Sequence, residues 1–115
     1  MHEMSLAGGI LQVVENAAQR EHFRRVKRLT LHAGALAGVE LSALRFALEV
    51  IAPGTCLEGA TLEIVEQPAL AWCMGCCASV PITSRLDDCP SCGGHRLQPT
   101  GGTELTVHEL IVRDD

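Results

Sequence analysis

Aromatic residues are scarce in this chain: one Trp, two Phe and no Tyr in 115 residues. Proteins that hold single-stranded nucleic acid stack its bases on aromatic side chains, so the scarcity argues against such a platform. Positive charge is short as well. Nine Lys and Arg stand against fourteen Asp and Glu, giving a formal net charge of −5. Duplex binding depends on cations that neutralise phosphates, and the overall balance opposes it. No apolar run approaches the roughly 20 residues of a membrane span. The opening Met1-His2-Glu3-Met4-Ser5 lacks a basic n-region, so no secretory leader is expected and the expected location is cytoplasmic. No internal repeat or low-complexity tract is visible. With so few aromatics, the core must be built from Ala, Val, Leu and Ile, and a chain of this length can bury one modest core.

Cysteine, by contrast, is present six times. In a cytoplasmic setting thiols are kept reduced, and clustered cysteines are read as metal ligands or redox groups. Cys73 and Cys76 form one C-x2-C pair, and Cys89 and Cys92 form another twelve residues on. Each pair can present two sulfurs from one tight turn, and two facing turns complete the tetrahedral thiolate set that Zn(II) favours. Four protein ligands leave no place for water, so such a site is structural. Gly75, Pro90, Gly93 and Gly94 supply the turn chemistry. Cys77 offers a competing register to Cys76, and C-x2-C is the usual spacing for such a turn. Cys56 stands apart and reads as a small buried hydrophobe.

Elsewhere the pattern alternates between helical and strand periods. Met4, Ala7, Ile10, Leu11, Val14, Ala17 and Ala18 recur at helical spacing, although Gly8 and Gly9 each cost about 1 kcal/mol relative to Ala in an exposed helix. Arg20, Arg24, Arg25, Lys27 and Arg28 then make a basic cluster. It is able to meet an acidic partner, and it equally suits a solvated helix end. A strand is predicted over 26–35, with Leu29, Leu31 and Ala33 on one side and Thr30 and His32 on the other. A helix is predicted over 40–51, with Leu41, Leu44, Leu48 and Ile51 on one face and Pro53-Gly54 as its stop. A second strand follows over 61–67. A last one covers 103–113, where the apolar phase changes near Glu109. This order suggests an α+β architecture: two helices packed on a small three-stranded sheet, with a zinc-ribbon-like segment inserted before the final strand. The corresponding division is 1–70 with 100–115 for the α+β domain and 71–99 for the zinc domain.

The N-terminus carries its own chemistry. A free Met1 amine, the deprotonated amide of His2 and the His2 imidazole can close fused chelate rings with three nitrogens in one plane. Ni(II) and Cu(II) favour such tetragonal nitrogen sets. His2 is too bulky for efficient removal of Met1, so that amine is expected to stay in place.

A chain that opens Met-His-Glu-Met-Ser, runs into an amphipathic helix and carries C-x2-C, twelve residues, C-x2-C in its second half resembles the HypA family. The family serves nickel incorporation in [NiFe]-hydrogenase maturation, and the likeness spans nearly the whole chain. The resemblance implies a nickel-binding α+β domain and a separate zinc domain. It makes His2, with the Met1 amine, the nickel ligand, with Glu3 and Glu40 as accessory candidates, and Cys73, Cys76, Cys89 and Cys92 the zinc ligands. It implies Ni(II) as transferred cargo and Zn(II) as a structural ion. It also implies a HypB-type GTPase and the hydrogenase large subunit as partners, and in some members urease maturation proteins. The doubled Cys76-Cys77 departs from the simplest family pattern.

His22, His32, His95 and His108 are further imidazoles, read first as surface or hydrogen-bonded groups. No Ser/His/Asp constellation with a local motif, no phosphate loop and no open zinc position is present, so the chain is not expected to be an enzyme. The alternative function is a zinc-ribbon module that binds a protein or nucleic acid without delivering nickel. It calls for a basic surface around the cysteines, where Arg85 and Arg96 face Asp87 and Asp88.

Overall fold

The computed structural model describes residues 2–113, the side chain of His2 excepted. Met1, Asp114 and Asp115 lie outside the described residues. The elements are α1 (His2–Glu21), β1 (Val26–Gly34), α2 (Leu41–Ile51), β2 (Thr61–Gln67), β3 (Ala69–Cys73), β4 (Ala78–Ile82), β5 (Leu97–Gly101) and β6 (Leu105–Val112). They form two three-stranded sheets, β2-β1-β6 and β4-β3-β5, the second antiparallel at both pairings. No described helix is long and apolar enough to cross a membrane.

The chain divides into two compact units. One is 1–31 with 39–64 and 107–115; the other is 32–38 with 65–106. In the first unit, α1 buries Ala7, Ile10 and Val14, three positions spaced by three and four residues. From α2 come Leu44, Ala47 and Leu48, and the two helices pack against each other. Burial of a Leu this complete stabilises by about 1.5–3 kcal/mol. From β1 come Val26, Leu29 and Leu31, and Thr30 is buried too, so that stretch of β1 is covered on both faces. Hydrogen bonds lock the loops onto this frame. The Arg45 guanidinium donates to the Leu62 carbonyl at 2.8 Å, and the Val26 amide donates to the Cys56 carbonyl at 2.8 Å.

The expected helices and the expected strands at 26–35, 61–67 and 103–113 correspond to α1, α2, β1, β2 and β6. Burial along β6 changes phase between Val107 and Leu110 across the exposed His108-Glu109 pair, as the apolar pattern suggested.

The second sheet was not anticipated from the sequence. Its central strand β3 alternates strictly, with Ala69, Ala71 and Cys73 buried and Leu70 and Trp72 exposed. Two of its inward residues are alanines, which give little hydrophobic signal. Pro81 in β4 and Pro99 in β5 lower the strand signal further. Both flanking strands are edges of this sheet, where a missing N–H is tolerated. Pro81 pairs with Leu70 and Pro99 with Ala71. In the same unit, the Gly34 and Leu36 amides donate to the Glu104 and Gly102 carbonyls at 2.8 Å. Only glycine fits here. A Cβ on Gly34 would lie 2.1 Å from the Gly102 oxygen, and one on Gly102, whose φ is +96°, 2.3 Å from Ala69 Cβ.

Candidate metal centre

β3 ends at Cys73, and the chain turns back into β4 through Met74-Gly75-Cys76-Cys77. The turn is closed by the Cys77 amide donating to the Cys73 carbonyl at 2.8 Å. The second turn leads into β5 and is closed twice: the Gly93 amide donates to the Cys89 carbonyl at 2.8 Å, and the Cys89 amide to the Gly94 carbonyl at 2.9 Å. Gly93 takes a φ of +73°, the left-handed conformation that the reversal needs. The Met74 amide reaches the Arg96 carbonyl at 2.9 Å and ties the first turn to the start of β5.

These turns bring together the sulfurs of Cys73, Cys76, Cys89 and Cys92, all within 4.8 Å of one another. Cys73 Sγ lies 3.7 Å from Cys92 Sγ, and Cys76 Sγ 3.8 Å from Cys89 Sγ. Thiolates at a Zn–S distance of about 2.3 Å on a tetrahedron stand about 3.8 Å apart. The donor set and its spacing fit Zn(II). Cys73 and Cys89 are buried, Cys76 is half-buried and Cys92 is exposed, so the cluster has a wet side.

Backbone amides surround the sulfurs. Cys76 N–H points to Cys73 Sγ at 3.4 Å; Ser91 and Cys92 N–H point to Cys89 Sγ at 3.4 and 3.5 Å; Gly94 N–H points to Cys92 Sγ at 3.4 Å. Such donors stabilise thiolates. The amide of Cys92 leads in bringing the Cys89 thiol down to about 6. Cys76 moves the other way. Its side-chain contacts with Cys92, then Cys73 and Cys89, push it up to about 12. Four adjacent thiols resist ionising together because like charges at this spacing repel, and a cation among them relieves that repulsion.

Cys77 lies outside the cluster. Its φ is +52°, its side chain is exposed, and its thiol points to the Met74 carbonyl at 3.6 Å. Cys56 is buried in the other unit, where its own burial raises its thiol above the ordinary range. His95 lies against Asp88, Nδ1 to Oδ1 at 2.6 Å, with both side chains well exposed. The Asp87 carboxylate accepts from the Thr83 amide at 2.8 Å and hydroxyl at 3.1 Å, which makes it a turn brace. Sequence reading did not reveal the amides of Ser91 and Gly94. The signal for the second was the Gly93-Gly94 step after Cys92: a Cβ on Gly94 would press to 3.3 Å from Cys92 Sγ.

At the other candidate site, Met1 and the side chain of His2 lie outside the described residues. Their neighbours are described. The amide of Glu40 donates to Glu3 Oε2 at 3.5 Å, so the carboxylate next to His2 sits at the start of α2. Glu40 caps α2: its Oε1 accepts the Ser42 amide at 3.0 Å and the Ser42 hydroxyl. The hydroxyl contact leads in holding the Glu40 carboxyl below its ordinary range. Glu3 and Glu40 are thereby together, and Glu40 keeps one oxygen uncommitted to Ser42. Of the remaining histidines, His22 is exposed with a φ of +61° beyond α1, His32 is half-buried in β1, and His108 is exposed in β6.

Comparison with known proteins gives a consistent result. A family model described as hydrogenase/urease nickel incorporation, metallochaperone, hypA matches residues 1–112. The hydrogenase maturation factor HypA of Cupriavidus necator is 60% identical over 114 residues, covering 99% of this chain and 96% of that protein. The factor of the same name from Polaromonas naphthalenivorans is 59% identical over 115 residues, the full length of both. The solution structure of the Ni metallochaperone HypA from Helicobacter pylori superposes with a TM-score of 0.68 at 20% identity, over 97% of each chain, and that likeness bears on the fold.

Proposed function

The chain belongs to the HypA family of nickel-incorporation metallochaperones, and on that premise we propose that it takes up Ni(II) at its own N-terminus and passes it on. It is a nickel metallochaperone of hydrogenase maturation, and its four-cysteine cluster suits a structural zinc ion. The observation that carries the N-terminal reading is the start of the family match at residue 1, which takes in Met1-His2-Glu3.

In this reading the Met1 amine, the His2 amide nitrogen and the His2 imidazole grip Ni(II) in a plane. The fourth ligand comes from Glu3, Glu40 or a partner. What supports the carboxylates is their joint position at the start of α2, with the Glu3 side chain held by the Glu40 amide. Glu40 would give up part of its capping contact with Ser42 in order to reach the metal. Release follows from protonation of the ligand nitrogens or from a competing partner ligand, since protons and metal contend for the same lone pairs. Cys73, Cys76, Cys89 and Cys92 would hold Zn(II), which when bound ties the two turns together. The role is carriage without catalysis, in the cytoplasm. A HypB-type GTPase and the [NiFe]-hydrogenase large subunit act as partners, and urease maturation proteins where a urease is the client. The nickel site belongs to the unit of 1–31, 39–64 and 107–115, and the zinc site to the unit of 32–38 and 65–106. A zinc-ribbon module for nucleic acid has nothing comparable in its favour: Asp87, Asp88 and Glu104 in the second unit oppose phosphate.

The test is maturation in cells lacking their own HypA-type factor and grown at limiting nickel. The unmodified chain should restore hydrogenase activity and His2→Ala should not, with zinc content equal in both. Full restoration by His2→Ala would remove the N-terminal site from the account.

A further inference from the structure

Five of the nine cationic side chains lie within residues 20–28, in a chain of net charge −5. The helix-end explanation covers only part of this cluster. Arg20 sits in the last turn of α1 and complements its dipole, but that effect fades beyond the final turn. Arg24 lies past the helix end, and Arg113 reaches the same place from just beyond β6, its amide donating to the Arg25 carbonyl at 3.1 Å. Arg20, Arg24 and Arg113 are among the residues that line an open cleft of about 800 Å³ within the first unit.

The cleft also has an apolar part to its lining. Phe23, Leu110 and Val112 line it, and the left-handed turn at His22 swings the chain aside at the end of α1. One acid, Glu21, also lines it, paired with Arg20 at 3.4 Å. A lining of cations and apolar side chains selects a ligand with both features. Small anions would satisfy the cations alone. A membrane surface is too flat to seat a side chain in the cleft, and a nucleic-acid backbone offers no aliphatic side chain to its apolar lining.

We propose that this cleft is a docking site for an acidic peptide segment of a protein partner, one that places an aliphatic side chain on Leu110 and Val112 beside carboxylates held by Arg20 and Arg24. The site is separate from the four cysteines and makes no use of His2.

The probe is a fluorescein-labelled peptide of Asp and Glu around one central Leu, titrated by anisotropy against the zinc-loaded full chain at low salt. Binding should weaken about tenfold or more when Arg20→Glu and Arg24→Glu are combined, as expected for removal of close interfacial charges. Combining Lys27→Glu with Arg28→Glu, exposed residues outside the cleft lining, alters net charge by the same amount and should cost less than about threefold. Replacing the peptide's Leu by Asp should weaken binding despite the added charge. Equal losses in the two double variants would reduce the effect to diffuse electrostatics and overturn the proposal. So would indifference to the peptide's Leu, displacement of the peptide by inorganic phosphate at equal charge concentration, or preferential binding to anionic vesicles or duplex DNA. Circular dichroism and zinc content of the variants separate loss of the cleft from loss of the fold.

Discussion

Among the most deeply buried side chains, one unit contributes Val14, Leu29, Leu31, Leu44, Leu48 and Leu57. The other packs Ala69, Ala71, Val80 and Ile82 around the sulfurs of Cys73 and Cys89. The first set is branched aliphatic carbon carried on two helices and a strand. The second is two-thirds alanine and thiol, a small apolar set to order the 49 residues of 32–38 and 65–106 against their conformational entropy. The contrast shows where a metal is needed. The first unit has a core of its own, whereas the second relies on four sulfurs for the closure that its side chains do not supply. Structural zinc contributes about 10–16 kcal/mol in small zinc-dependent domains, more than such a core would.

Removing the zinc is the severest way to split the two units. Chelation, or Cys73→Ser, should abolish the β4-β3-β5 sheet while the helices persist. Trp72 is the only tryptophan and lies in β3, so its emission reports on the second unit alone, and far-UV circular dichroism follows α1 and α2 in the first. Loss of both signals together would show that the first core does not stand by itself. The converse variant is Leu48→Ala in α2. Truncating this fully buried Leu should lower stability by about 2–5 kcal/mol in a denaturant titration. Zinc stoichiometry should stay at one per folded chain, and a shortfall would contradict the division.

Gly102→Ala probes the second unit without touching a sulfur. Its φ is +96° and an added Cβ would lie 2.3 Å from Ala69 Cβ, so no room is left for a methyl group. A loss of about 1–3 kcal/mol is expected, seen first in Trp72 emission. An unchanged unfolding curve would mean that this crossing can relax. The gentlest probe is proton release on zinc binding, measured calorimetrically in buffers of different ionisation enthalpy. A thiol lowered to about 6 is already ionised at neutral pH, and one raised to about 12 is not. Near neutral pH zinc should therefore displace the proton of Cys76 and almost none from Cys89. As the pH falls through about 6, Cys89 takes up a proton that zinc must displace, so release per zinc rises and affinity drops. Release that stays flat across this range would contradict the amide-stabilised thiolate at Cys89.

The legible parts of the chain follow the same contrast. The elements of the first unit announce themselves because Leu, Ile and Val mark their periods, as along Leu44 to Leu48 and Leu29 to Leu31. The four cysteines were legible because zinc chemistry imposes the C-x2-C spacing. The sheet around them was hidden, since Ala69 and Ala71 carry little pattern and Pro81 and Pro99 argue against strands until their edge positions are known. The exclusion of Cys77 depends on a backbone angle, which no spacing rule contains. The meeting of Glu3 with Glu40 needs two helix starts to converge, a tertiary fact. The basic run of 20–28 was plain in the sequence, but Leu110, Val112 and Arg113, which complete the cleft, come from the far end of the chain.

The central claim is that cargo nickel and structural zinc occupy different sites. It is tested most directly by a Ni(II) titration of zinc-loaded protein with an untagged N-terminus, read by absorption and calorimetry beside His2→Ala. The account predicts one nickel bound per chain, its loss in His2→Ala, and zinc retained in both. Equal nickel uptake by the variant, or nickel that enters only as zinc leaves, would contradict it.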